Sequence, residues 1–202
     1  MPHSPSQGEK AASWSIEVRI VRTPDEFAMA MAIRAAVFLA EEDNITYFDE
    51  FNGNDHLATH LIAFVNGDPA GVIRCRWFNG FAMLERIGIR KRYRTYKVFA
   101  ALARTAIELA RQKGYRYAAG RARGDTWKLW QRFWGRQTGP EITMERGTLI
   151  PMVIDIPDRA GAPSMPPGPF GDPDFEALIV QQEGNWDFGR LANPSCIAVA
   201  AE

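Results

Sequence analysis

The chain has 202 residues, 46% apolar and 11% aromatic, which suits one domain with a packed core, alone or with a tail. Lysine plus arginine and aspartate plus glutamate balance at 24 each, so no global charge argues for nucleic acid and any basic function must be local. The two cysteines, Cys75 and Cys196, are far apart, which speaks against a disulfide framework or a cysteine-based metal site.

Residues 1–15 are polar and lack the apolar core of a signal peptide, so they read as a flexible leading segment. No apolar run approaches the roughly 20 residues that a bilayer span requires. A cytoplasmic chain without a membrane span is the expectation.

Residues 16–21 alternate apolar and charged side chains, the pattern of a half-buried strand. Thr23-Pro24-Asp25-Glu26 then opens a helix with a cap, a proline at the first position and acids in the first turn. Phe27, Met31, Arg34 and Phe38 keep helical spacing to about Glu41. Residues 43–58, rich in Asp, Asn and Gly, are expected to form a loop with room for one short helix. Residues 60–65 and 71–78 read as strands joined by the turn Asn66-Gly67-Asp68-Pro69, and residues 81–90 as a third strand of the meander. Residues 96–113 form an amphipathic helix, with Phe99, Leu102, Ala106, Leu109 and Ala110 on one face and Gly114 as its stop. A strand at 115–123, a Trp-rich helix at 125–136, with Trp127, Trp130 and Trp134 three and four apart as a core stripe, and a last strand at 148–156 complete the order. Beyond Pro157 the composition shifts: residues 158–202 are a Pro/Gly-rich arm, with Phe175–Val180 as a short helix and Trp186 and Phe188 as anchors. Such an arm can cover a cleft or bridge to a second subunit, which leaves a homodimer open.

This order, with Leu84-Glu85-Arg86-Ile87-Gly88-Ile89 on a strand and Tyr93-Arg94 just before a helix, resembles the GNAT N-acyltransferase superfamily over most of residues 16–157. The resemblance implies an α/β fold with a mixed, strongly twisted central sheet flanked by helices. It also implies transfer of an acetyl or acyl group from acetyl-CoA or another acyl-CoA to a small-molecule amine. The usual family loop reads Arg-x-x-Gly-x-Gly/Ala; here Arg94 fills the first place, but Lys97 and Phe99 replace the small residues. A narrower resemblance is to the acyl-homoserine-lactone synthases. It rests on Arg34-Ala35-Ala36-Val37-Phe38, Asp49-Glu50-Phe51-Asn52 and Gly71-Val72-Ile73-Arg74, although Asn44 stands where that branch has a tryptophan. That branch takes its acyl group from the phosphopantetheine of acyl carrier protein, which is the alternative donor and partner.

The loop Arg90-Lys91-Arg92-Tyr93-Arg94-Thr95-Tyr96-Lys97 sets five basic side chains at a helix start, where main-chain amides and the helix dipole favour an anion. A solvated basic turn is the plainer alternative. Lost glycines hinder close backbone approach to a pyrophosphate and burden a single-phosphate carrier less. The resemblance implies that Ile87, Gly88 and Ile89 polarise the thioester carbonyl and that Arg90, Arg92, Arg94, Thr95, Tyr96 and Lys97 hold the carrier. It implies Glu85 as the base. Strand alternation sets Met83, Glu85 and Ile87 on one face, which predicts a half-buried carboxylate of raised pKa. A salt bridge from Glu85 to Arg74 or Arg76 is the competing reading. Arg34, Phe38, Asp49, Glu50 and Arg74 are implied on the acceptor side, with Asp55 near them. The tyrosine that often assists the leaving thiolate falls at Gln131, and no metal ligand set with defined spacing appears. A catalytically degenerate domain serving as a binding module remains the non-enzymatic reading.

Overall fold

The computed structural model describes residues 14–43, 45–144 and 147–157. The Pro/Gly arm, with the helix expected at Phe175–Val180 and the anchors Trp186 and Phe188, lies outside the described residues.

Local chemistry sets the first elements. Strand β1 (Ile16–Ile20) keeps its alternating exposure. Thr23 then accepts the Glu26 amide while the Glu26 carboxylate reaches back to the Thr23 amide, a reciprocal cap that starts α1 (Pro24–Arg34). The helix does reach Glu41, but its last part, Ala35–Glu41, is π-helical and ends with the Glu42 amide on the Val37 carbonyl at 2.9 Å. The acidic stretch that follows holds two short helical turns: α2 (Tyr47–Glu50), capped by Thr46, and a 3₁₀ turn at Asn54–Leu57.

Strands β2 (Thr59–Val65), β3 (Asp68–Phe78) and β4 (Phe81–Ile89) form the antiparallel meander. Asn66 and Gly67 both take positive φ, 51° and 82°, between β2 and β3, which matches the right-handed strand twist and explains the Asn-Gly pair. Helix α3 (Tyr96–Gln112) crosses over to β5 (Tyr117–Arg123), parallel to β4. Then come α4 (Gly124–Gln131), β6 (Gly135–Gln137), β7 (Ile142–Met144) and β8 (Gly147–Asp155). The mixed sheet runs β1-β2-β3-β4-β5-β8-β6, with β7 also on β8.

Two expectations are corrected here. The Trp-rich helix stops at Gln131, because Trp134 takes φ 60° and turns the chain into β6, which pairs with β8. The tryptophans therefore do not form one stripe: Trp130 is buried, Trp127 packs at the core edge and Trp134 is exposed. Strands β6 and β7 are too short for a period-two pattern to show.

Helices cover both faces of the sheet. Val98, Phe99, Leu102 and Ala106 of α3 pack on Leu61, Ala63, Ile73, Cys75 and Leu84. Ala30, Ile33 and Val37 pack on Ile62, Phe64 and Val72 from the other side. Each large apolar side chain buried in this way contributes about 1.5–3 kcal/mol. Among the described residues, no helix is long and apolar enough to cross a membrane.

Candidate active site

The site begins with a fault in the strand register. β3 and β4 pair Val72 with Gly88 and Arg74 with Glu85, so Ile73 alone stands opposite both Arg86 and Ile87. At this bulge Arg86 takes φ 52°, a strained conformation for a non-glycine residue. The extra residue resets the alternation. Glu85 and Arg86 both meet charged partners on the α1 side, whereas Ile87 packs with the α3-side core. The expectation that Ile87 shares a face with Glu85 is corrected for this reason.

The same strand parts from its other neighbour. β4 and β5 pair only at Ala82–Ala118 and Met83–Ala119, although β4 continues to Ile89 and β5 to Arg123. Past Met83 the strands form a wedge, and the β4 main chain from Glu85 to Ile89 has no partner in β5. Gly120 sits at the fork. A Cβ there would lie 2.7 Å from the Leu84 carbonyl oxygen, so only glycine allows the approach. Next to it, on the sheet, is an open groove of ≈ 460 Å³ lined in part by Phe81, Met83, Tyr117, Ala119 and Met152.

The basic loop stands at the open end of the wedge. A 3₁₀ turn at Lys91–Tyr93 leads to Thr95, which caps α3 with no side-chain hydrogen bond, so the first-turn amides keep their affinity for an anion. Its charges are partly taken by the chain itself. Arg90 pairs with Asp68 at 3.1 Å, and Arg94 reaches Glu41 at 2.8 Å and the Ile89 carbonyl at 3.1 Å. The Arg92 guanidinium lies over the Tyr93 ring and Arg132 over Tyr96, while Lys97 is exposed. Phe99 belongs to the core, edge-on to Trp130 at 5.1 Å, and lines no cradle.

Across the bulge lies a buried ionic network that joins distant elements. Arg34, fully buried, donates to the carboxylates of Glu50 and Asp55 and, at 2.9 Å, to the Glu50 carbonyl. Arg74 donates to Asp55 at 2.8 Å and to Glu85 Oε1 at 3.0 Å, and Arg76 lies 3.6 Å from that same oxygen. Arg86 sits 2.9 Å from Glu50 Oε2 and donates to the Asp49 carbonyl at 2.7 Å. Burial raises the Asp55 carboxyl, but Arg34 and Arg74 outweigh it and hold the group below its usual range. Burial pushes the His60 imidazole down, helped by Arg34 and Arg74; its Nε2 lies 3.1 Å from the Asp55 carbonyl. Burial likewise lowers Arg86, against the pull of Glu50 and Glu85.

Arg34, Glu50, Arg74 and Glu85 therefore meet in one network, with Glu85 in the salt bridge expected as its competing role. Glu85 meets both Arg74 and Arg76 at Oε1. Asp49 differs: its carboxylate accepts the hydroxyl of Thr46, the cap of α2, at 2.7 Å. Phe38 stands apart, its ring 3.3 Å from where a Cβ of Gly88 would be. Arg76, expected only as a salt-bridge partner of Glu85, joins this network, as do Arg86 and His60, which the sequence does not point to. Arg76 carries a readable signal, an arginine two places from Arg74 in an apolar strand; the bulge that turns Arg86 carries none. Burial raises the Cys75 thiol to about 12, which makes it inert.

Residues 26–135 match the acetyltransferase (GNAT) family. The Bacillus subtilis (strain 168) protein YyaT is 30% identical over 102 residues, 49% of this chain and 68% of that protein. An acyl-CoA N-acyltransferase from Pseudomonas aeruginosa superposes with a TM-score of 0.62 at 17% identity, over 70% of this chain and 99% of that one. FeeM, an N-acyl amino acid synthase from uncultured soil microbes, gives a TM-score of 0.63 at 13% identity, over 72% and 93% of the two chains. At these identities the two structures are alike in fold.

Proposed function

The chain belongs to the acetyltransferase (GNAT) family, and from that premise we propose that it transfers an acyl group from a CoA-type thioester to an amine. The observation that carries this reading is the parting of β4 and β5 beyond Met83. An extended pantetheine arm can take hydrogen bonds from the strand edge that β5 leaves unpaired. The fit is supported by the glycine at the fork, the uncapped start of α3 and the cations Arg92, Arg94 and Lys97 beside it.

In this reading the amides of β4 between Ile87 and Ile89 that point away from β3 polarise the thioester carbonyl, which favours the oxyanion that forms on attack. The acceptor nitrogen bonds to the carbonyl carbon, the carbon–sulfur bond breaks and the thiolate departs. Glu85 receives the amine proton, directly or through a water, while Arg74 and Arg76 hold its Oε1. The arginines and packing hold that carboxylate in one orientation, which is their contribution to the reaction. Gln131 is exposed on α4 and cannot protonate the thiolate, which leaves adequately without help.

Loss of thiol-releasing turnover in Glu85→Gln, by about a hundredfold or more, tests the base. Turnover and pH profile equal to those of the parent would remove Glu85 from that role. A second reading, transfer of a longer acyl chain from acyl carrier protein, is favoured by the groove next to the fork and by Lys97 replacing a small residue. Calorimetry with acetyl-CoA and with acyl carrier protein separates the two donors. Heat from neither would favour a binding module without transfer activity.

A further inference from the structure

Two carboxylates from the π-helical end of the first helix lie across the mouth of the wedge. Glu41 accepts the Lys91 amide at 3.2 and 3.1 Å and the Arg94 guanidinium at 2.8 Å. Glu42 lies 3.3 Å from the same Arg94 nitrogen and accepts from Arg123, the last residue of β5, at 2.7 Å. The pair therefore ties the loop after β4 to the end of β5, across the gap where the strands have no pairing of their own. Its partners, one main-chain N–H before a helix start and two guanidinium groups, are those that phosphate oxygens take. A donor phosphate and these carboxylates cannot hold the same N–H groups together.

We propose that Glu41 and Glu42 are specificity-determining residues of the donor site, internal anions that hold the Lys91 amide, Arg94 and Arg123 until the carrier's phosphates displace them. This rests on the acyl-donor reading above. Arg94 and Arg123 are each 43% exposed and the two acids about a quarter exposed, so each pair is weak and exchange is cheap. Each phosphate brought to these groups displaces a carboxylate, so the two acids lower the affinity of phosphate-bearing carriers, most for those with the most phosphate charge, and leave neutral thioesters unaffected.

The test is calorimetric titration of the full chain with CoA, 4′-phosphopantetheine and pantetheine at low salt, in the parent and in Glu41→Gln/Glu42→Gln. The double variant is expected to bind CoA about tenfold more tightly, since two like charges leave the vicinity of the phosphates. Phosphopantetheine should gain less and pantetheine nothing, and salt should shrink the CoA gain. The single variant Glu42→Gln, which keeps the Glu41 contacts, should gain about threefold and serves if the double variant does not fold. An equal gain for pantetheine, no gain for CoA, or weaker CoA binding would overturn the proposal; weaker binding would make the acids positioning groups for Arg94 and Arg123. Failure of the parent and every variant to bind CoA would instead overturn the acyl-donor reading beneath it.

Discussion

Asparagine in place of Asp55 keeps the shape of the side chain and removes the negative charge between two buried guanidinium groups. Asp55 Oδ1 accepts from both Arg34 and Arg74, whose side chains are fully buried, and lies 3.8 Å from His60 Nε2. Removing one partner of a buried ion pair costs about 3–5 kcal/mol, because a desolvated charge is left behind. Arg34 keeps Glu50, Arg74 keeps Glu85, and the amide oxygen still accepts, so the lower end, about 3 kcal/mol, is expected. For a chain of this size that corresponds to a fall of roughly 6–12 °C in Tm. Urea denaturation of the parent and Asp55→Asn across pH is the assay. The Asp55 carboxyl is held below its usual value in the folded state, so its contribution is complete above about pH 4, where the unfolded carboxyl is also ionised. It is lost as pH falls through the depressed folded value. The gap between the two proteins should hold from pH 7 to 5 and narrow below about 4. A gap under about 1 kcal/mol at pH 7, or one that widens in acid, would refute the reasoning.

His60 should add a second pH dependence near neutrality. Burial, with Arg34 and Arg74, depresses its folded pKa, so the unfolded chain takes up a proton first and stability should fall from about pH 7 toward 5. His60→Gln should flatten that limb, and an imidazole seen by NMR to titrate at or above its ordinary value would sink the argument. Gly120→Ala should cost roughly 1–3 kcal/mol and weaken donor binding, because the new Cβ meets the Leu84 carbonyl oxygen at 2.7 Å and the Met152 methyl at 3.0 Å. Gly124→Ala, with nothing within 4 Å of the added carbon, is the control, and equal Tm values for the two would show that the fork does not need its glycine.

The elements that sequence alone determined are those set by neighbouring residues. Thr23, Pro24 and Glu26 start a helix because their side chains satisfy amides three residues away. Asn66-Gly67 turns a hairpin because both positions need positive φ. The apolar stripe of α3 and the placement of the basic loop between β4 and that helix follow from the same short-range periodicity. Resemblance places Arg34, Glu50 and Arg74 on one side of the fold, and the pairing of Glu85 with Arg74 follows the salt-bridge reading rather than the resemblance.

Tertiary structure decided the rest. An acid-rich stretch such as residues 43–58 reads as solvated until its partners are known, and the partners of Glu50 and Asp55 come from α1, β3 and β4. The bulge at Arg86 depends on how β3 and β4 are registered, and one extra residue there reverses the facing of Ile87. The basic loop looks free in sequence, yet Glu41 and Glu42 reach it from about 50 residues earlier once the last turns of the first helix widen. Helix starts and turns are encoded within a few residues of chain. The facing of a side chain past a bulge, and the choice of partner for a charge, are encoded only in the contacts among strands and helices that sequence keeps far apart.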